Sequence, residues 1–132
     1  MSSPEAFHHV TLTVSDLAKS IRWYEDVLGM SKAADREGPG WVRALMRTDG
    51  GLVIGLTVHE DTSVGDVFDH RRVGLDHLSI ACADEAAVTA WAARLDDLGV
   101  AHGPVEHTGY ACVMTCRDPD GIAVEFFAPT AS

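Results

Sequence analysis

Sulfur is scarce in this 132-residue chain. It has three cysteines, Cys82, Cys112 and Cys116, and no CxxC pair. An odd count without paired spacing argues against a disulfide scaffold and against a zinc ribbon. Positive charge is also scarce: 10 Lys+Arg stand against 20 Asp+Glu, a formal net charge of −10. Nucleic-acid binding needs a basic footprint, so that class is excluded as a first reading, and an anionic membrane surface is disfavoured for the same reason. No apolar run approaches the roughly 18–20 residues needed to cross a bilayer. The opening MSSPEAF has neither a basic nor an apolar signal region, so the expected location is the cytoplasm. What remains, 46% hydrophobic and 23% charged residues, is the composition of an ordinary globular domain, and the length suits one domain spanning 1–132.

An internal repeat organises the chain. FHHVTLTVSDL (7–17) lies over LDHLSIACADE (75–85), with His9 on His77, Asp16 on Asp84 and Trp23 on Trp91 at an offset of 68. Two further residues in the second copy shift the offset to 70, which brings Leu28-Gly29 onto Leu98-Gly99 and GGLVIGL (50–56) onto DGIAVEF (120–126). Each copy reads as a strand, a helix and further strands. Residues 8–14 alternate apolar and polar, as a half-buried strand does. Asp16 is the N-cap of a helix carrying Leu17, Ile21, Tyr24 and Leu28 on one stripe, and Gly29 ends it. In the second copy Asp84 caps a stripe of Val88, Trp91, Leu95 and Leu98, stopped by Gly99. Alternating strands at 41–47 and 52–59, and at 111–117 and 122–128, flank the turns Thr48-Asp49-Gly50-Gly51 and Asp118-Pro119-Asp120-Gly121. Short extra strands are expected near 31–35 and 102–106. The acidic stretch 60–73 is the linker; Asp66, Asp69 and His70 within it read as a solvated loop. Cys112, Met114 and Cys116 lie two apart on one face and read as core.

Alternation also assigns the faces. In each copy the even-numbered apolar residues pack on the helix. The opposite face then carries His9, Thr11 and Thr13 in the first strand and Val53, Gly55, Thr57 and His59 in the fourth-quarter strand of copy one. In copy two it carries His77, Ser79 and Ala81, with Ala123, Glu125 and Phe127. Two imidazoles at repeat-related positions and one carboxylate thus share the face that lacks helices, among small neighbours that leave room for a ligand. A two-His, one-carboxylate set suits Fe(II) or Mn(II) and leaves coordination positions open. The identity of the ion stays open at this stage, with Zn(II), Ni(II) and Co(II) as alternatives. Arg43, placed on the open face by its offset of 70 from Val113, can bind a substrate carboxylate.

The motifs HVTLTVSDLAKSIRWYEDVLGM (9–30), GLDHLSIA (74–81), LDDLGV (95–100) and RDPDGIAVEFF (117–127) resemble the vicinal oxygen chelate superfamily. That superfamily includes glyoxalase I, extradiol dioxygenases, fosfomycin-resistance enzymes and bleomycin-resistance proteins. The resemblance covers residues 7–128. It implies an α+β fold of two tandem βαβββ modules, about 6–60 and 74–128, joined by a linker at 61–73. Their mostly antiparallel sheet would be cupped around a divalent metal, with the helices on the outer face. It implies ligands at up to four positions, and His9, His77 and Glu125 match three. The fourth falls on Gly55, where glyoxalase I carries glutamate, which argues against isomerisation of a methylglyoxal–glutathione adduct. Residues 103–115 contain no lysine or serine, so the fosfomycin phosphonate pocket is missing.

The expectation is therefore a metal-dependent enzyme, dioxygenase-like or glyoxalase-like, whose small substrate chelates the ion through adjacent oxygens. Tyr110 and His107 are the candidate acid–base groups. Thr11, Arg43, Gly55, His59, Val113, Thr115 and Phe127 are the candidate substrate-facing residues. The resemblance also implies a homodimer. Two alternatives are a non-catalytic protein that sequesters an antibiotic or metabolite, with Trp41 and Phe127 lining an aromatic cleft, and a fosfomycin-type transferase or a lyase or isomerase.

Overall fold

A computed structural model describes residues 2–130; Met1, Ala131 and Ser132 lie outside the described residues. The chain divides into two compact units, Met1–Asp66 and Val67–Ser132. The first runs β1 (Val10–Thr13), α1 (Leu17–Leu28), β2 (Ser31–Gly38), β3 (Trp41–Arg47) and β4 (Val53–His59). The second runs β5 (His77–Ala81), α2 (Glu85–Asp97), β6 (Glu106–His107), β7 (Ala111–Arg117) and β8 (Ala123–Pro129). Each unit is therefore a βαβββ module. The sheet orders correspond: β1-β4-β3-β2 in one and β5-β8-β7-β6 in the other. In each, the first and last strands pair in parallel and the other neighbours are antiparallel.

The sequence offsets reappear as strand register. Thr11 pairs with Gly55 in β1–β4, and Ser79 pairs with Glu125 in β5–β8. These pairs are related by 68 on one strand and 70 on the other. The helices begin where the aspartates place them: Asp16 accepts the Lys19 N–H at 3.1 Å and Asp84 accepts the Ala87 N–H at 2.9 Å. Each cap satisfies one of the amides that the first helical turn leaves free. Gly29 ends α1 in the left-handed region, φ 67°, and its N–H returns to the Glu25 carbonyl. The turn before β8 is held by the buried Asp118, whose carboxylate accepts the Asp120 and Ile122 N–H groups, both at 2.9 Å.

One core lies between helix and sheet in each unit. In the first it comprises Leu12, Val14, Tyr24, Val27, Leu28, Met30, Met46, Ile54 and Leu56; in the second, Val88, Leu95, Cys112, Met114, Cys116, Val124 and Phe126. Trp91 of α2 stacks on Phe126 at 4.6 Å between ring centroids. Three details differ from the expectations. Leu98 is 45% exposed, because α2 ends at Asp97 and Leu98 is its C-cap rather than part of the buried stripe. The strand near 31–35 extends to Gly38; it is the polar edge of its sheet, where charged side chains discourage pairing with another chain. The strand near 102–106 shrinks to Glu106–His107, with His102 bridged separately to Cys116.

Candidate functional site

In the second unit, β5, β8 and β7 present three short rows on the face away from α2. These are His77–Ala123–Arg117, Ser79–Glu125–Thr115 and Ala81–Phe127–Val113. His77 is exposed and Glu125 partly buried. The His77 Nδ1 lies 2.6 Å from an Asp76 carboxylate oxygen. A carboxylate only accepts, so Nδ1 carries the proton and the lone pair of the neutral ring is on Nε2. The His77 ring in turn holds the Asp76 carboxyl below its ordinary range. Nε2 faces a Glu125 oxygen at 3.7 Å, beyond hydrogen-bonding distance. The same Glu125 oxygen accepts the Ser79 hydroxyl at 2.9 Å. Two potential ligand atoms therefore face each other across a gap, and each is oriented by a neighbour.

That arrangement fits a divalent cation. Ligands at about 2.1 Å from one ion stand roughly 3.0–3.4 Å apart for octahedral to tetrahedral angles, so the pair needs to close by only a few tenths of an ångström. Beyond Glu125, Phe127 lies on the same face with the Tyr110 ring at 6.5 Å, tilted by 35°. Tyr110 is 71% exposed, so its phenol stands at the margin of this face. Val113 and Thr115 are partly buried opposite Phe127 and Glu125.

The first unit has the same framework with different chemistry. His9 precedes β1, and its Nδ1 meets the Nδ1 of His8 at 2.9 Å. Gly55 occupies the position equivalent to Glu125. A Cβ built on it would meet the Thr11 Oγ1 at 2.8 Å and Cγ2 at 3.1 Å, so Thr11 fills the space that a side chain at 55 would need. Arg43 donates from Nε to the buried Thr57 hydroxyl at 2.8 Å and stacks its guanidinium 4.5 Å from the Trp41 ring centre. His59 is Trp41's register partner at the end of β4, and its N–H donates to the Ser63 hydroxyl.

His107 falls elsewhere. It pairs with Cys112 across β6–β7, on the helix-covered side, and its Nε2 lies 3.3 Å from Glu85 of α2. Glu125 is on the other face, so the two are not brought together. Glu85, His107 and Cys112 offer ligand atoms that all lie within 4.8 Å of one another, a grouping that the sequence reading missed. Its one available signal was the short hairpin through Thr108-Gly109-Tyr110, which makes His107 and Cys112 cross-strand neighbours. Cys112, Met114 and Cys116 are buried as expected of core residues. Burial pushes the Cys82 and Cys112 thiols up and Cys116 to about 11, the opposite of an activated nucleophile. In the stretch between β4 and β5, Asp69 is engaged by the Arg71 backbone and guanidinium.

Comparison with known proteins agrees with this framework. The family profile described as "Glyoxalase/Bleomycin resistance protein/Dioxygenase superfamily" matches residues 6–126. A lactoylglutathione lyase from Haemophilus influenzae is 31% identical over 126 residues, covering 89% of this chain and 88% of that protein. A catechol-2,3-dioxygenase from Bacillus subtilis is 29% identical over 122 residues, covering 91% of this chain but only 40% of the dioxygenase. Among solved structures, a glyoxylase/bleomycin resistance protein/dioxygenase domain from Frankia sp. EAN1pec superposes with a TM-score of 0.90 at 32% identity, covering 98% of this chain and 96% of that one.

Proposed function

The chain belongs to the glyoxalase/bleomycin resistance protein/dioxygenase superfamily, and on that premise we propose that it is a metal-dependent enzyme acting on a small substrate that chelates through two adjacent oxygens. The proposed ligands are His77, Glu125 and His9, with His9 supplied by the same chain or by a second copy in a homodimer. The observation that carries this reading is the His77–Glu125 confrontation: the imidazole Nε2, on the side of the ring away from Asp76, and a carboxylate oxygen stand 3.7 Å apart on one face of the sheet. Bound there, a divalent ion supplies Lewis acidity to the substrate's oxygens and leaves positions for a co-reactant; Fe(II) or Mn(II) suits the donor set.

The protein's own groups do the positioning. Asp76 holds the His77 tautomer, and Ser79 fixes one Glu125 oxygen so that the carboxylate does not swing away. Phe127 and Val113 offer an apolar wall for the body of the substrate, and Thr115 a hydroxyl beside Glu125. The Tyr110 phenol, at the margin, is the proposed proton-transfer group. In the first unit Thr11, Arg43 and His59 are the proposed substrate contacts, Arg43 for a carboxylate.

Gly55 bears on the choice between the two leading reactions. No carboxylate is available at 55, and the Thr11 contact leaves no space for one. That supports a three-ligand, oxygenase-type site over glutathione-dependent isomerisation. The test is oxygen uptake by the Fe(II)-loaded protein against a panel of catechols and 2-hydroxy ketones, run beside thioester formation from methylglyoxal and glutathione. Oxygen consumption lost in His77→Ala supports the proposal; thioester formation with no oxygen uptake replaces it with the lyase reading.

A further inference from the structure

We propose that Glu85, His107 and Cys112 form a second metal site, distinct from the open-face set, that takes a divalent cation of the zinc class. The three come from three elements of one unit: Glu85 opens α2, His107 lies on the edge strand β6, and Cys112 lies on β7. Their ligand atoms all lie within 4.8 Å of one another. The His107 Nε2 to Glu85 Oε2 separation is 3.3 Å, about what two ligands at ~2.0–2.2 Å subtend on one tetrahedral ion. A thiolate at ~2.3 Å would stand about 3.6 Å from each of them, inside the 4.8 Å within which the three ligand atoms lie.

The local chain presets this geometry. The Thr108 hydroxyl accepts the Ala111 N–H at 2.9 Å, and the Thr108 N–H donates to the Ala111 carbonyl at 2.8 Å. These bonds close the tight hairpin that sets His107 opposite Cys112. The Asp84 cap fixes the start of α2 and with it the root of Glu85. Cys112 is buried while Glu85 and His107 are exposed. The thiol is thus the floor of the site and the other two are its rim, which leaves a fourth position to water.

Donor chemistry separates the two sites. The His9, His77 and Glu125 set contains no sulfur and suits ions such as Fe(II) and Mn(II). A thiolate with an imidazole selects zinc-like ions instead. Coordination replaces the S–H bond of Cys112 with a sulfur–metal bond and releases the proton to solvent. The bound ion would tie the edge strand β6, only two residues long, to α2 and β7.

The test is titration of the reduced full-length chain with Co(II), followed by the thiolate-to-cobalt charge-transfer band in the near ultraviolet. The expected result is a band that saturates at one ion per chain and is displaced by Zn(II). It disappears in Cys112→Ala. His107→Gln and Glu85→Gln weaken the affinity at least about tenfold, and both positions are exposed, so these variants stay decisive if Cys112→Ala does not fold. Cys82→Ala and Glu125→Gln leave the band unchanged, which separates this site from the open-face proposal. Absence of the band in the wild-type chain overturns the assignment. So does a band that survives Cys112→Ala, or affinity untouched in both His107→Gln and Glu85→Gln.

Discussion

Gly55→Ala is the perturbation whose outcome follows most directly from the packing. The added Cβ would sit 2.8 Å from the Thr11 Oγ1, 3.1 Å from its Cγ2 and 3.3 Å from its Cβ. Two of the three atoms belong to the branches of a β-branched side chain, which has few rotamers to retreat into. Overpacking of this kind costs about 1–3 kcal/mol. Replacing Gly by Ala in extended backbone returns roughly 0.4–1 kcal/mol by restricting the unfolded chain. The net expectation is a loss of about 0.5–2 kcal/mol, read from urea unfolding with an unchanged m-value. In a Thr11→Ala background only the 3.3 Å contact remains, and Gly55→Ala becomes close to neutral. The double-mutant cycle therefore returns a coupling of about 1 kcal/mol or more. If Gly55→Ala stabilises the wild-type chain, or is equally harmful with and without Thr11, then Thr11 does not fill the space and the account of the missing fourth ligand fails.

Three other perturbations have defined outcomes. Ser79→Ala removes the hydroxyl that orients Glu125 and weakens Mn(II) affinity by about 10–100-fold with little change in stability; calorimetric titration reads the first and thermal unfolding the second. Asp118→Ala leaves the Asp120 and Ile122 amides without their acceptor and costs about 1–3 kcal/mol, measured by chemical denaturation. The His102 pKa is raised above its ordinary 6.5 by the Gly103 carbonyl and then by Asp96. Its contribution is therefore full below that value and lost as pH rises through the folded value. The gap in stability between wild type and His102→Gln should narrow as the pH rises above 6.5 and through the raised folded value; a gap that widens contradicts the His102–Asp96 and His102–Gly103 bonds.

Much of the framework was legible in the sequence because it rests on local chemistry. Asp16 and Asp84 cap their helices by bonding amides three residues on, and Gly29 stops α1 through backbone freedom alone. The repeat carried further, since two offsets read from the letters became the Thr11–Gly55 and Ser79–Glu125 register pairs. Alternation along 123–127 likewise placed Glu125 opposite the core residues Val124 and Phe126. Features without a buried face were not legible. The edge strand β2, SKAADREG, has no apolar alternation to announce its full length, and β6 is too short to show a period. The misplacement of His107 has the same origin: its face is fixed by pairing with Cys112 across a hairpin, which no pattern within residues 102–107 encodes. Glu85 carries no local signal in the sequence, and its approach to His107 depends on how α2 lies over the end of the sheet.

Mn(II) binding to the full chain tests the central claim most directly, because Mn(II) prefers the nitrogen and oxygen donors of the open face to the thiolate of the helix side. Calorimetry and paramagnetic relaxation of bulk water should report one ion per chain in the wild-type protein and in Cys112→Ala, and loss of that ion in His77→Ala and Glu125→Gln. Equal Mn(II) binding with and without His77 and Glu125, or none in the wild-type chain, would contradict it.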